Sequence, residues 1–421
     1  MHILIIPSEF FDDRRKPTAG IFQMDQAQLI AGKGNKVGFL ALKPFFTLYE
    51  LLHSIFRFKV GYISYLRLLQ AIRIFCTALF SSSNTQFVVY NKNNWNIVKF
   101  QGIYSLFTSG GNVGKKKDWL KNGDTAIQKY MNEFGKPDVI HAHNILFGGM
   151  VGSFLSKKYA IPLVLTEHCS SHKMSNYSNQ DLELIGEGLK GIKFINAVSP
   201  SLANLLEQKY NLAKNNVAWL PNVMDKEFEN FDPSIPKDKR SFTFINVASL
   251  IPLKAQERLI QAFEVAFKRD KEVTLEIIGE GHLKERLARL IQELEMEGQI
   301  KLLGGLSRKS VLEKMKNADS LVHSSDYETF GVVLIEALSL GKPVVSTKCG
   351  GPECIINKKN GILVPLQNLV ALAKGMKYMV EHIYEYSSSL IKEDLVQRFG
   401  QEKFYERIMN FYQEAIDDYN N

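Results

Sequence analysis

A chain of 421 residues, 45% hydrophobic and 23% charged, has the composition of a folded globular protein and is longer than one core ordinarily organises, so two domains are expected. The formal net charge is +8, yet the excess sits in the first 120 residues, which hold 15 Lys and Arg against 6 Asp and Glu. The four cysteines, Cys76, Cys169, Cys349 and Cys354, form no C-x-x-C pair and suit a reducing cytoplasm rather than a disulfide framework.

The opening "MHILIIPSEF" lacks the charged start of a cleavable signal and its apolar run is too short, so it reads as a first strand. "AGIFQMDQAQLIAGKG" follows as a helix closing on Gly32 and Gly34, and "KVGFLALKP" as a second strand. From Leu51 to Lys117 there is no carboxylate. Within that stretch "LLHSIFRFKVGYISYLRLLQAIRIFCTALF" interleaves Arg57, Lys59, Arg67 and Arg73 with aromatic and aliphatic residues. It contains no uncharged apolar run of membrane-spanning length, and its aromatics keep amphipathic company rather than that of a nucleic-acid surface. The pattern favours docking of residues 43–80 on an anionic membrane surface, the alternative being a cover for the first domain's core. "QFVVYN" and "GIYSLF" then read as strands and "DTAIQKYMNEFG" as a helix. "PDVIHAH", "PLVLTEH" and "FINAVS" read as buried strands with polar ends, the ends at which open parallel sheets bind ligands.

Three prolines and a charge cluster in "WLPNVMDKEFENFDPSIPKDKRS" mark a boundary. The alternation restarts with the strand "FTFINVASL" and the helix "AQERLIQAFEVAFKR". "VTLEIIGEG", "IKLLGG", "SLVHSS", "KPVVST" and "GILVP" continue as strands. Between them stand the helices "HLKERLARLIQELEMEG" and "SRKSVLEKMKNAD", the latter capped by Ser307. The tail "KFYERIMNFYQEAI" carries Phe404, Ile408, Phe411, Tyr412 and Ala415 on one stripe. This alternation predicts an α/β protein with two doubly wound parallel sheets.

The chemistry concentrates in "SSDYETFGVVLIEALSLGKPVV". Glu336 stands in an apolar run, where a carboxylate costs several kcal/mol unless something satisfies it. Val332, Val333 and Leu340, a turn away on either side, offer no cation, so either a distant cation pairs with it or it faces a ligand. Glu328 lies at the end of a strand, just before Phe330, Gly331 and a helix whose N-terminus suits a phosphate. One phosphate seat flanked by two carboxylates able to accept from vicinal hydroxyls describes a sugar nucleotide.

The run from Glu328 to Glu336 resembles, without a gap, the Glu-x7-Glu motif of the retaining glycosyltransferases of family 4. "IIGEGHLKERL", "LLGGLSRKSVLEKMKNADSLVHSS", "GKPVVSTKCGGPE" and "NGILVP" match the same family in order and spacing over 242–366. The resemblance implies the GT-B fold: two Rossmann-like domains facing across a cleft, 1–223 for the acceptor and 224–399 for the donor, with 400–421 crossing back onto the first. It also implies that Glu336 binds the ribose hydroxyls and Glu328 the donor sugar's hydroxyls. The backbone of Phe330 and Gly331 would help seat the diphosphate, Thr329 and Val332 beside them would also bind the donor, and Lys254 would stabilise the leaving group. Ser249 stands where the family usually has an Arg, and Ala255 replaces the usual Gly after the Lys, which leaves Arg258 as a candidate second cation. In the first domain, Gly20 begins the first helix near the donor, Arg14, Arg15 and Lys16 would meet an anionic acceptor, and His168 would lie by the reacting sugar.

His168-x3-His172 and His141-x-His143 have zinc-like spacing but follow strands, so metal is not expected, and His143 reads as a satisfied structural histidine. "GEG" at 279–281 is half a dinucleotide fingerprint, lacking the third Gly. The expectation is a metal-independent hexosyl- or N-acetylhexosaminyltransferase without nucleic-acid partners. It would move a sugar from a UDP-sugar to a polyprenyl-diphosphate-linked glycan at the cytoplasmic membrane face, in lipopolysaccharide or capsule synthesis. A sugar-nucleotide epimerase of similar plan and a non-catalytic assembly partner are the alternatives.

Overall fold

The structure, a computed structural model, describes residues 1–8, 20–42, 87–92, 94–100, 111–174, 177–231 and 241–421. Arg14, Arg15, Lys16, the segment 43–80 and the strand expected over 102–107 lie outside the described residues. The chain divides into two compact units. Met1–Ala197, Leu206–Ala218 and Ile408–Asn421 form the first, and Val198–Leu205 and Trp219–Arg407 the second.

The first unit is built on strands β1 His2–Ile6, β2 Lys36–Ala41, β3 Phe87–Lys92, β4 Trp95–Phe100, β5 Val139–His143, β6 Leu163–Glu167, β7 Phe194–Ala197 and β8 Val217–Trp219. They lie in the order β3-β4-β2-β1-β5-β6-β7-β8. Ile3, Leu4, Ile5 and Ile6 are all fully buried, the continuous apolar run of a central parallel strand covered on both faces. The pairings from β4 through β7 are parallel, whereas β3–β4 is an antiparallel hairpin, turned at Asn94 with φ 63° and leaving Val88 and Val89 exposed. β4 escapes a reading by periodicity because Asn96 and Lys99 interrupt its apolar pattern; in the fold Trp95, Ile97, Val98 and Phe100 are buried and Lys99 is nearly so. The helix expected from Asp124 begins earlier and runs Gly111–Phe134.

The second unit holds β9 Phe242–Val247, β10 Val273–Ile278, β11 Ile300–Gly304, β12 Ser320–His323, β13 Val344–Thr347 and β14 Gly361–Val364, in the order β11-β10-β9-β12-β13-β14. Every pairing in this sheet is parallel. The helix Gln256–Phe267 buries Leu259, Ile260, Phe263 and Phe267 against it, a stripe at helical spacing, each fully buried side chain worth roughly 1.5–3 kcal/mol. Ser307 caps Arg308–Asn317, its hydroxyl accepting from Ser310 N–H at 3.2 Å. The last helix, Gln401–Asn420, starts in the second unit and ends in the first, with Phe404, Ile408, Tyr412 and Ala415 buried along its stripe and Phe411 half-buried.

Candidate active site

The strand order of the second unit reverses between β9 and β12, and a parallel sheet receives ligands beyond the carboxyl ends of such a pair. The loop after β9 carries exposed Ser249 and the short turn Pro252–Lys254; the loop after β12 carries Asp326 to Gly331. The two loops are laced together. Asp326 N–H donates to Leu253 O, and the Ser324 hydroxyl to Lys254 O, both at 2.8 Å. Lys254 Nζ then lies 2.6 Å from Glu328 Oε2, and Arg258 forks onto Asp326 at 2.6 and 3.3 Å. Arg258 is thereby held by a carboxylate of its own. Ala255 takes up the left-handed backbone, φ 49°, that a glycine adopts without strain, so the substitution keeps the turn at a cost of roughly 1 kcal/mol.

Glu328 is fixed from both sides through its backbone: its N–H donates to Cys349 O at 3.0 Å and its carbonyl accepts from Gly351 N–H at 2.7 Å. The chain crossing is so close that a Cβ on Gly351 would stand 2.3 Å from Phe330 O. Burial works to raise the Glu328 pKa, but the Lys254 ammonium and His323, whose Nε2 is 3.7 Å away, hold it well below the usual carboxylate range. His323 is itself set by Ser346 and Ser325, each at 3.0 Å. Gly331, with φ 103°, starts the helix Val332–Ser339; Phe330 is buried, and Thr329 and Val332 are half-buried beside it. Glu336 lies on the second turn of that helix. The open question about it has an answer in Arg308, whose Nη2 lies 3.7 Å from Glu336 Oε1.

In the first unit the carboxyl ends of β5 and β6 gather histidines. His143 Nδ1 and His168 Nε2 are 2.9 Å apart with their rings stacked, and His168 packs on Phe22 two residues after Gly20, the left-handed N-cap of Ile21–Gly32. His141 is fully enclosed: Nδ1 meets the Tyr412 hydroxyl at 2.7 Å and the Gln26 amide at 2.9 Å, and Nε2 meets Thr166 Oγ1 at 2.7 Å. Burial depresses its pKa to about 3, and that of His143 well below the ordinary value. Glu167, completely buried, accepts from the N–H groups of Ile145, His168 and Cys169 and lies 3.2 Å from His172 Nε2. Burial acts to raise its pKa; His172 and those N–H groups bring it below the usual value. The reading of His143 as a fully satisfied histidine is corrected: its buried Nε2 has no hydrogen-bond partner among the described residues.

Residues 225–393 match the family described as glycosyl transferases group 1, and residues 111–228 match glycosyltransferase family 4. The chain belongs to this glycosyltransferase family. It is 27% identical over 284 residues to an uncharacterised glycosyltransferase of Methanocaldococcus jannaschii, covering 66% of this chain and 76% of that one. Among solved structures it resembles sucrose-phosphate synthase from Thermosynechococcus elongatus, with a TM-score of 0.73 and 18% identity over 99% of this chain and 100% of that one. It also resembles HepE of Anabaena in complex with UDP, with a TM-score of 0.69 and 19% identity over 98% of this chain and 100% of that one. The fold is GT-B.

For this glycosyltransferase the structure brings Lys254 and Glu328 into contact, sets Thr329 to Val332 at the start of the helix that bears Glu336, and leaves Ser249 exposed without a cation in its place. His168 and Gly20 belong to the first unit, and His168 is joined to His143. Sequence reasoning missed Asp225, Arg308, His323 and Asp326. Arg308 had one local signal: a cation at the first position of a helix opposes the helix dipole and calls for another explanation. The others carry no signal in the chain around them. No helix among the described residues is long and apolar enough to cross a membrane.

Proposed function

We propose that this glycosyltransferase transfers a hexose or N-acetylhexosamine, with retention of configuration, from a UDP-sugar held by the second unit. The observation that carries this reading is the Lys254–Glu328 pair at the strand-order reversal, followed by Glu336 on the helix that begins there. Lys254 is the group to meet charge building on the departing diphosphate, and the N–H groups starting Val332–Ser339 add to it. Glu328 and Glu336 accept from sugar and ribose hydroxyls, with the half-buried depth that makes such hydrogen bonds selective. The bond from the sugar's anomeric carbon to the phosphate oxygen breaks, the bond to the acceptor oxygen forms on the same face, and the acceptor's proton goes to the departing phosphate. His168 contacts the transferred sugar in this reading. UDP as the nucleotide is supported by the complex of HepE, a protein of the same fold.

The acceptor in this proposal is a lipid-linked glycan of a surface polysaccharide pathway, lipopolysaccharide or capsule. Arg14, Arg15 and Lys16 read its anionic group, and the basic, aromatic segment 43–80 keeps the protein at the inner face of the membrane. No divalent metal is required in this scheme, the protein's cations meeting the diphosphate. The test is a thermal-shift screen of UDP, GDP, ADP and their sugars with wild type and Glu336→Ala, followed by release of UDP on adding lipid-linked acceptor, with and without EDTA. A melting rise with UDP that the variant loses supports the reading. A preference for another nucleotide, or activity abolished by EDTA, overturns that part of it.

A further inference from the structure

In the second unit one cation serves two acidic side chains on separate elements. Arg308 Nη2 lies 2.6 Å from Asp225 Oδ2 and 3.7 Å from Glu336 Oε1. The arginine opens its helix, where a positive charge works against the helix dipole, so helix stability does not account for it. The acidic partners are 10% and 14% exposed and Arg308 28%, which spares the group most of the screening that weakens surface pairs. Asp225 is also fixed locally, as the cap of Lys226–Glu229 accepting from Glu227 N–H. Arg308 is therefore anchored at hydrogen-bond distance by Asp225, while the Nη2–Oε1 separation to Glu336 is one of charge contact.

We propose that Arg308, anchored by Asp225, is a positioning residue that holds the Glu336 carboxylate for recognition of the nucleotide's ribose. The proposal rests on the reading above, in which Glu336 accepts from the ribose hydroxyls. At 3.7 Å the guanidinium offsets a negative charge set in an apolar helix without this nitrogen competing as a donor for the same oxygen. Without Arg308, Asp225 and Glu336 lose their shared counter-charge, and the Glu336 side chain loses a fixed reference for its orientation.

The test is calorimetric titration of full-length wild type, Arg308→Met, Arg308→Lys and Glu336→Gln with the ribo and 2′-deoxy forms of whichever of UDP, GDP and ADP raises the melting temperature. Arg308→Met is expected to weaken the ribonucleotide roughly tenfold and leave the 2′-deoxy form nearly unchanged, so that ribose discrimination falls to the level of Glu336→Gln. Arg308→Lys, which keeps the charge and loses the fork, recovers part of it. Equal loss for both nucleotide forms, or no loss, overturns the proposal. If Arg308→Met melts too low to titrate, Asp225→Asn, which frees the anchored end of the arginine, must show the same selective loss. Glu336→Gln that still discriminates between the two forms refutes the ribose reading itself, and wild type that binds none of the three nucleotides refutes the donor reading; in both cases the proposal falls with it.

Discussion

Replacing Glu328 with Gln leaves the Lys254 ammonium facing a neutral amide where a carboxylate stood 2.6 Å away. Opposite charges about 4 Å apart attract by about 4 kcal/mol at the effective dielectric of a site near the protein surface. The two side chains are 20% and 18% exposed, so part of that attraction is offset by desolvation, and the net coupling should be about 2 kcal/mol. The carboxylate's pKa is depressed in the fold, so its contribution is present above the unfolded carboxylate value and is lost as the pH falls through the folded one. Urea denaturation of wild type, Glu328→Gln, Lys254→Met and the double variant at pH 7 isolates the pair through a double-mutant cycle. A coupling near 2 kcal/mol is expected, together with a flatter acid limb for Glu328→Gln. Lys254→Met should also lower kcat by roughly 10²–10³, the loss typical of removing one preorganised charge partner. A coupling below about 0.5 kcal/mol, or a kcat within severalfold of wild type, would refute the assignment of this pair to the donor site.

The histidines of the first unit predict a pH dependence of the same sign that sets in at a higher pH. His141 and His143 take up a proton less readily folded than unfolded, so stability is flat above about pH 6.5 and falls on acidification by up to about 1.4 kcal/mol per pH unit for each. Urea midpoints between pH 7 and pH 5 measure this, and a flat profile contradicts it. Tyr412→Phe removes the hydroxyl 2.7 Å from His141 Nδ1 in a fully buried place, where the Gln26 amide still reaches the ring; a loss of about 1 kcal/mol in denaturation is expected. Gly351→Ala sets a Cβ against Phe330 O at 2.3 Å, and the backbone must shift in the loop that carries Glu328. Nucleotide-dependent thermal stabilisation should disappear in that variant, with roughly 1–3 kcal/mol lost in stability; preserved nucleotide binding would show that the crossing is not needed.

Periodicity and local chemistry determined much of this protein. Buried parallel strands such as "ILII" and "PVVST" announce themselves because both faces are covered, so that apolar residues run together, wholly in the first and as Val344-Val345 ahead of Ser346 and Thr347 in the second. The capped helix after Ser307 and the stripe from Phe404 to Ala415 follow from helical spacing, and the run Glu328 to Glu336 gives the family because its glycine and carboxylates have local geometric reasons. β4 was not legible, because a hairpin partner and burial overrode the polar Asn96 and Lys99. The partners of the charged groups belong to the tertiary structure alone. Lys254 meets Glu328 across 74 positions and Arg258 meets Asp326 across 68, while Arg308 joins Asp225 and Glu336 from a third element. An electrostatic contact depends on distance in space, and the chain encodes that distance only through the whole parallel sheet, whose β9–β12 register brings the two loops together. The sequence thus named the charges, and the order of the strands chose their counterions.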